Sequence, residues 1–368
     1  MRIGLVCPYS LTVYGGVQSQ VLGLARSLRA SGHDARVLAP CDGPPPDSGV
    51  TPLGNSIPTA ANGSVAPLAP DASAQLRFIR AVRDEGFDVL HLHEPLAPGA
   101  TMTACVLRPA PLVGTFHAAG TSASYRWARP GVRWLAGRLD LRCAVSDDAQ
   151  ALASKYLGGT YEPVFNGIEI DPYAKAVPTP TAGPTILFLG RHEDRKGLSV
   201  LLDAMTSLPR EVRLWVAGDG PETERLRGRV AGDPRIEWLG PITEDEKRSR
   251  LRGADIYCAP SLRGESFGVV LLEAMAASTA IVASDLAGYR RVARPDQDAV
   301  LVPPGDAEAL AGALESLLAD RARAAALVVS GEERVLGFSM DRLADRYVEL
   351  YARAGATGAV TSAGPAAP

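Results

Sequence analysis

Two glutamates in the second half of the chain have a spacing that would let both contact one ligand. Glu265 precedes the apolar run 267–277, and Glu273 lies within that run, eight residues after Glu265. If the run forms a helix, Glu265 lies at or before its N-terminus and Glu273 lies about two turns in. A helix N-terminus offers free N–H groups and partial positive charge, which suit a diphosphate. Taken alone, a capping carboxylate and a surface glutamate would explain the pair equally well.

A charged loop follows a predicted strand earlier in the same half. The apolar run 185–189 ends in a loop that includes Arg191 and Lys196, and Gly197 then opens a predicted helix. Ligands of open α/β sheets bind beyond the carboxyl ends of the strands. A planar guanidinium and a compact ammonium at such an edge suit an anionic ligand. Ordinary surface charge is the alternative explanation, but further glycine-containing loops at 166–167, 217–221 and 239–241 favour a binding site.

These motifs, in this order, resemble the donor site of the retaining GT-B glycosyltransferases of family four. The order is Arg191 and Lys196, then Gly-Asp-Gly-Pro at 218–221, then the Glu-x7-Glu pair that begins at Glu265. The likeness extends over nearly the whole chain and is strongest to the actinobacterial phosphatidylinositol mannosyltransferases. The segments that are similar to theirs are 1–10, 15–19, 62–66, 91–95 and 264–273.

The resemblance implies a role for each residue of the donor motifs. Arg191 and Lys196 would hold the diphosphate of a nucleotide sugar, and Gly16 would close on it from the other domain. Glu265 would contact the sugar, and Glu273 would bind the ribose hydroxyls. The further donor contacts that it implies are Gly218, Ile242, Ser266, Phe267 and Gly268.

The resemblance also implies a catalytic histidine and an acceptor site in the first half of the chain. His117 follows the predicted strand 112–116 and would lie near the transferred sugar, although a lone histidine could equally be structural. The catalytic set is then His117, Arg191, Lys196 and Glu265. The acceptor contacts that the family pattern implies are Tyr9, Gln18, Asn62 and Ser64.

We expect the reaction to need no metal and no other cofactor. Breaking the bond to the anomeric carbon leaves negative charge on a nucleoside diphosphate, which two fixed cations and a helix N-terminus can stabilise. The donor-site segments contain no clustered Asp-x-Asp. The family resemblance further implies GDP-mannose as donor, a phosphatidylinositol or similar inositol lipid as acceptor, and retention by same-face attack. A different nucleotide sugar with a soluble acceptor, a sugar-nucleotide epimerase and a non-catalytic sugar-nucleotide binder are the alternatives.

Two basic residues with which the relatives grip the acceptor phosphate are missing from this chain. Pro67 and the uncharged stretch 118–124 stand in their places. The segment 125–138 interleaves four arginines with three aromatic residues, a composition suited to a membrane interface. Arg126, Arg129 and Arg133 are therefore predicted to contact an anionic membrane surface, and an amphipathic helix with buried tryptophans is the alternative.

The elements that must position these residues alternate between strand and helix. Predicted strands at 3–7, 35–39, 89–93, 112–116 and 142–146 alternate with helical patterns such as 17–29, and a second such series begins at 185. This pattern predicts mainly parallel sheets covered on both faces. The predicted fold is α/β, namely GT-B with two Rossmann-like doubly wound domains facing across a cleft.

Proline content and length set the predicted domain bounds. An acceptor-binding domain spans 1–168, a proline-rich linker 169–184, and a nucleotide-sugar-binding domain 185–338. A helix at 339–354 could pack back on the first domain, and the tail 357–368 is predicted to be disordered.

Composition excludes several classes of protein. With 368 residues, 46% apolar residues and a net charge of −3, the chain is typical of a globular protein and not of a nucleic-acid coat. Five scattered cysteines without a Cys-x-x-Cys pair favour reduced thiols over disulfides or zinc. We expect no signal peptide and no membrane span, and hence a cytoplasmic protein that could bind peripherally to the inner face of the plasma membrane.

Overall fold

The structure of the protein is a computed structural model that describes residues 1–13, 15–61, 64–118 and 129–356. The predictions for Asn62, for Arg126 and for the tail 357–368 lie outside these ranges, as do those for the side chains of Ser64 and Arg129. The chain forms two compact units. The first comprises Met1–Gly167 together with the segment from Met340 onward, and the second comprises Ile168–Ser339.

The first unit contains a parallel sheet in the order β3-β2-β1-β6-β7-β8-β9 and a separate antiparallel hairpin, β4-β5. Its strands are β1 Arg2–Val6, β2 Asp34–Ala39, β3 Val50–Pro52, β4 Ile57–Ala61, β5 Ser64–Leu68, β6 Val89–His93, β7 Leu112–Phe116, β8 Leu141–Ala144 and β9 Glu162–Pro163. Its helices are α1 Gly16–Ala30, α2 Ala72–Glu85, α3 Ala100–Leu107, α4 Arg129–Ala136 and α5 Asp147–Leu157.

The alternation of side chains along each strand builds two cores, one on each face of this sheet. Leu5 of β1 packs with α1 residues such as Leu24 in one cluster, whereas its neighbour Val6 packs with Leu92 in the other. Successive strand residues point to opposite faces, so a strand covered on both sides is largely apolar. Buried polar side chains in these strands, such as His91 of β6, are hydrogen-bonded.

The second unit contains a parallel sheet in the order β12-β11-β10-β13-β14-β15. Its strands are β10 Thr185–Leu189, β11 Arg213–Ala217, β12 Ile236–Gly240, β13 Ile256–Ala259, β14 Ala280–Ser284 and β15 Val300–Val302. Its helices are α6 Asp171–Ala174, α7 Leu198–Ala204, α8 Thr223–Arg229, α9 Glu244–Gly253, α10 Val269–Ala276, α11 Ala287–Arg290, α12 Ala307–Ala319 and α13 Arg321–Leu336. Both sheets have the doubly wound Rossmann order, which confirms the predicted α/β class.

The last helix, α14 (Met340–Arg353), belongs to the first unit. Its buried residues recur at three- and four-residue spacing, from Leu343 through Tyr347 to Tyr351, and form one apolar face. This face joins the core cluster that contains α1. The side chains of Ser27 on α1 and Asp341 on α14 are also hydrogen-bonded. The helix therefore completes the core of the first unit.

The proline-rich segment 169–184 differs from the predicted linker. It contains the short helix α6, and Tyr173 on that helix is only 5% exposed. Thr179 donates its backbone N–H to the carbonyl of Ser249, 2.9 Å away. The segment is thus part of the second unit, because the buried side chain of Tyr173 anchors it there. The linker prediction rests on the prolines and on the Thr, Gly and Ala residues between them, and gives no weight to this tyrosine.

Within the residues described, no helix is long and apolar enough to cross a membrane. All five cysteines are free and buried.

Candidate active site

In each sheet the order in which strands are added reverses beside the first strand, and the loops at that point carry several of the predicted site residues. In the second unit β10 lies between β11 and β13, so the loops that follow β10 and β13 are neighbours. In the first unit β1 lies between β2 and β6. Such a switch point leaves a crevice at the carboxyl edge of the sheet, where ligands of this fold bind.

Lys196 and Glu265 meet at the switch point of the second unit. Lys196 Nζ donates to Glu265 Oε1 over 2.5 Å, and the two side chains are 18% and 11% exposed. Ser261 Oγ donates to the same oxygen over 3.1 Å. Two residues separated by 69 positions therefore form one ion pair, largely shielded from water.

Glycine lets the backbone segments around this ion pair approach closely. Gly197 has φ +67°, and a Cβ there would lie 1.9 Å from the carbonyl oxygen of Pro260. Gly218 has φ +109°, and a Cβ there would lie 2.1 Å from the carbonyl oxygen of Gly190. A side chain at either position would clash with backbone as well as strain its own. The predicted residue Gly218 therefore packs two strand-end loops together.

Arg191 makes a different ion pair from the one that holds Lys196. Its Nε lies 2.9 Å from Glu193 Oε1, and its side chain is 64% exposed. The other oxygen of Glu193 accepts from Arg195 Nε over 2.8 Å. The loop after β10 thus carries three cations, of which the Arg191 guanidinium is the most exposed and the Lys196 ammonium the best shielded from water.

The predicted residues 266–268 lead into the N-terminus of α10. Gly268 has φ +90° and caps the helix, and Phe267 is buried with its ring edge-on to that of Phe338. The carbonyl of Ser266 accepts from Arg291 Nη1 over 3.0 Å. Since the Phe267 side chain serves packing, this segment offers a ligand mainly backbone N–H groups.

Ile242 lies in the loop between β12 and α9. It is half-buried, and Gly240 just before it has φ +67°. Its predicted contact with the donor stays a prediction.

Glu273 is buried on α10 and is held by two residues that the sequence analysis did not single out. Tyr173 donates its hydroxyl to Glu273 Oε1 over 2.9 Å, and Lys247 Nζ donates to the same oxygen over 2.8 Å. An isolated buried carboxylate would be costly, and these two donors offset that cost. They come from α6 and α9, so local sequence pattern could not reveal them.

In the first unit, the loops after β6 and β7 bring Glu94 against His117. Glu94 Oε1 accepts the backbone N–H of His117 over 2.8 Å and that of Ala118 over 2.6 Å. Glu94 itself has φ +49°, a strained conformation for a non-glycine residue. Burial raises the pKa of Glu94 to about 7, although the two N–H donors lower it. A strained, buried acid with a perturbed pKa is typical of functional sites.

Three histidines, His91, His93 and His117, lie on or directly after the strands β6 and β7, and burial keeps them neutral. His117 Nε2 and His93 Nδ1 lie 3.0 Å apart, and the rings of His93 and His91 lie 4.2 Å apart. Burial lowers the pKa of His117 to about 4 and that of His91 to about 3. Within the described residues, His93 Nε2 is a buried atom without a hydrogen-bond partner.

A chain of hydroxyl groups links these histidines to α14. His91 Nδ1 lies 2.8 Å from the Tyr351 hydroxyl, and His91 Nε2 lies 2.7 Å from Thr115 Oγ1. Thr115 Oγ1 in turn lies 2.9 Å from the Tyr347 hydroxyl. The C-terminal helix thus supports the strands that present His93 and His117.

Two of the predicted acceptor residues, Tyr9 and Gln18, lie with Gly16 in the loop that joins β1 to α1 or in the first turn of α1. Tyr9 forms a bridge with Leu68, and burial, with the nearby charge of Glu94, raises the pKa of its hydroxyl. Gln18 is buried and donates to the carbonyls of Ser10 and Val13, so its amide holds the loop. Gly16 begins α1, and a Cβ there would meet nothing within 4 Å.

Residues that could hold a metal are not clustered in the part of the chain that the structure describes. Among these residues, no three His, Cys, Asp or Glu side chains are grouped so that they could bind a metal ion. Independence from metal stays a prediction.

Comparison with known protein families matches both units. Residues 14–171 match the family described as "Glycosyltransferase Family 4", and residues 183–320 match "Glycosyl transferases group 1". A phosphatidyl-myo-inositol mannosyltransferase from Mycobacterium leprae is 41% identical over 97% of this chain and 98% of its own length. The chain belongs to glycosyltransferase family 4. A second mannosyltransferase of the same name, from Mycolicibacterium smegmatis, is 40% identical over 95% of this chain and 93% of its own length. The predicted family is therefore confirmed.

Solved structures confirm the architecture of this family 4 chain. A glycosyltransferase from Rickettsia africae superposes with a TM-score of 0.74 at 18% identity, covering 96% of this chain and 98% of that one. At that identity the likeness shows the fold alone. It agrees with the predicted GT-B class of two Rossmann-like domains.

Proposed function

We propose that this glycosyltransferase transfers mannose from GDP-mannose to phosphatidylinositol or a closely related inositol lipid, with retention at the anomeric carbon. The observation that carries the proposal is the 41% identity, over nearly the full length of both chains, with the mannosyltransferase from Mycobacterium leprae. The ion pair of Lys196 with Glu265 at the switch point of the second unit supports it, because it joins two of the residues predicted to bind the donor.

The donor site works through fixed charge in this proposal. As the bond to the sugar breaks, the leaving nucleoside diphosphate gains negative charge. Lys196, the exposed guanidinium of Arg191 and the N–H groups at the start of α10 are the groups that stabilise it. Glu265 holds the Lys196 ammonium in place until the diphosphate arrives and then accepts from a sugar hydroxyl. No metal is required.

The acceptor site works through neutral groups. Because burial lowers the pKa of His117 to about 4, its imidazole is uncharged at neutral pH and can donate or accept a hydrogen bond. It orients the sugar, while the acceptor hydroxyl attacks from the face that the diphosphate leaves and passes its proton to the leaving phosphate. His117 needs no change of charge in this sequence.

Peripheral binding to the inner face of the plasma membrane is the third part of the proposal. On α4, Val132 and Leu135 are buried whereas Arg133 and Trp134 are exposed, Trp134 by 55%. An exposed tryptophan beside arginine favours the interfacial interpretation over a helix that buries its tryptophans. The anionic lipid headgroup meets Arg126, Arg129 and Arg133.

A screen of donors and acceptors tests the proposal. GDP- and UDP-sugars are each incubated with phosphatidylinositol vesicles and with free inositol, in the presence of EDTA, and the products are analysed by mass. We expect a mannosylated lipid from GDP-mannose alone. A glycosylated soluble product would favour the soluble-acceptor alternative, and consumption of the donor without acceptor would favour an epimerase.

A further inference from the structure

The carboxylate of Glu273 is held through one of its two oxygens. Both hydrogen bonds that it receives within the described residues, from Tyr173 and from Lys247, fall on Oε1. All three residues are buried, with 5% of Tyr173 and 8% of Lys247 and Glu273 exposed. In an otherwise apolar stretch of α10, the carboxylate could adopt several rotamers without these donors. With them, Oε1 is held by two donors, and the other oxygen, Oε2, accepts no hydrogen bond from the described residues.

The donors come from elements that share no local sequence with α10. Tyr173 lies on α6, 100 residues before Glu273, and Lys247 lies on α9. Lys247 Nζ also pairs with Glu244 Oε2 at 2.9 Å and lies 5.7 Å from the centre of the Tyr173 ring. The ammonium is therefore fixed by two carboxylates and an aromatic face. Such an arrangement gives it little freedom to move and a definite position from which to hold Glu273.

We propose that Lys247 and Tyr173 are positioning residues that hold Glu273 by Oε1 so that Oε2 can accept the vicinal hydroxyls of the donor ribose. The inference rests on the proposed function for its ligand, a nucleoside diphosphate with an intact ribose. It assigns the recognition of the ribose to a three-residue unit and not to Glu273 alone. It also gives the segment 169–184 a part in donor binding.

A purely structural role for the same contacts would have a different signature. If Lys247 and Tyr173 only joined α6 and α9 to α10, their loss would weaken the unit as a whole. Binding of every nucleoside diphosphate would then change in the same proportion. If they position Oε2, the loss should fall on ligands that carry the ribose hydroxyls and spare those that lack them.

Calorimetric binding of GDP and of 2′,3′-dideoxy-GDP to the full chain separates these cases. We expect the parent to bind GDP at least about tenfold more tightly than the dideoxy compound, since a hydrogen bond to a charged group contributes about 1.5 to 3 kcal/mol. Lys247→Met should abolish most of this preference by weakening GDP alone. Tyr173→Phe, which keeps the ring, should reduce the preference by a smaller factor, and Lys247→Arg should restore part of it.

Lys155→Met removes an exposed lysine of the first unit and serves as the matched control, with the preference unchanged. If Lys247→Met weakens both ligands equally, or leaves the preference intact in a protein with parental melting temperature, the inference is wrong. The same holds if the parent does not distinguish the two ligands. The assay uses no sugar and no lipid, so a protein that transfers a different sugar, or uses another acceptor, would still yield the expected preference.

Discussion

The two units share the doubly wound strand order but differ in the charge of the side chains at their switch points. In the second unit acidic and basic side chains pair directly, Lys196 with Glu265 and Lys247 with Glu273. In the first unit, burial lowers the pKa of His117 to about 4 and raises the pKa of Glu94 to about 7. One fold thus supports a charged site and a largely neutral one, because the loops and not the sheet supply the chemistry.

This difference matches the two halves of the proposed reaction. A diphosphate needs fixed positive charge, and a shielded ammonium supplies more stabilisation than an exposed one. A sugar or inositol hydroxyl is uncharged, so it needs hydrogen-bond partners and not fixed charge. The experiments below test this division.

The largest effect is expected from removing the ion pair of the second unit. Lys196→Ala or Glu265→Ala should each lower kcat for mannosyl transfer a hundredfold or more, since one charge-stabilising group contributes roughly 3 to 4 kcal/mol in the transition state. The double variant should be little slower than either single one, because the two side chains act as a unit. Initial rates with GDP-mannose and phosphatidylinositol measure this, with Lys155→Ala as the control. Parental rates in either single variant that is properly folded would contradict the proposed donor site.

A comparably large effect is expected on membrane binding. Replacing Arg126, Arg129 and Arg133 together by Ser should weaken binding to anionic liposomes about a hundredfold at low salt, since each arginine near the surface contributes about 1 kcal/mol. The affinity for GDP should stay at the parental value. Liposome sedimentation measures the change.

The matched control for that experiment removes the same charge from the second unit, at the exposed residues Arg210, Arg213 and Arg225. It should leave liposome binding unchanged. If the variant that lacks Arg126, Arg129 and Arg133 sediments with liposomes and transfers sugar as the parent does, the arginines of α4 face solvent only. A soluble acceptor then becomes the better interpretation.

A smaller effect, visible in stability, tests the acid of the first unit. Burial raises the pKa of Glu94 from 4.5 to about 7, so between these values the folded protein keeps a proton that the unfolded chain has released. Stability therefore falls as the pH rises through this window, and the contribution is absent above it. Relative to Glu94→Gln, the free energy of unfolding of the parent should fall by about 1 to 3 kcal/mol between pH 4.5 and pH 8.

Thermal unfolding of both proteins across that pH range measures the slope. The exposed Glu349→Gln is the control and should follow the parent. If the difference in stability between the parent and Glu94→Gln is the same at every pH, Glu94 does not hold a proton in the folded state.

The smallest effect is expected from the link between α14 and the histidines. Tyr351→Phe removes the hydroxyl 2.8 Å from His91 Nδ1 and leaves that buried nitrogen without this partner. We expect a loss of about 1 to 2 kcal/mol from the stability of the first unit, with the second unit unaffected. Calorimetry of the thermal transition would reveal it, and an unchanged transition would mean that water replaces the hydroxyl.

The sequence predicts the strands better than it predicts the site. Strands such as β6, β7 and β10 have the predicted bounds, because a strand buried on both faces is largely apolar along its length. The hairpin β4-β5 and the helix α13 were not predicted. Neither has the largely apolar pattern of the strands in the two parallel sheets.

The residues that complete the site are far apart in the sequence and meet only in the folded chain. Glu94 adopts a positive φ that local preference disfavours in a glutamate, so only the surrounding fold explains it. Lys247 and Tyr173 meet Glu273 across 26 and 100 residues of chain. The family resemblance identified Glu265 and Lys196 as members of one site, but their direct pairing became visible only in the structure.

The division between a charged and a neutral site is tested most directly by the dissociation constant of GDP, measured calorimetrically for Lys196→Ala and for His117→Ala. We expect Lys196→Ala to weaken GDP binding about tenfold or more, because it removes a charge-assisted contact to phosphate, and His117→Ala to bind GDP as the parent does. If His117→Ala weakens GDP as much as Lys196→Ala, or if Lys196→Ala leaves it unchanged, the two sites do not divide the reaction in this way.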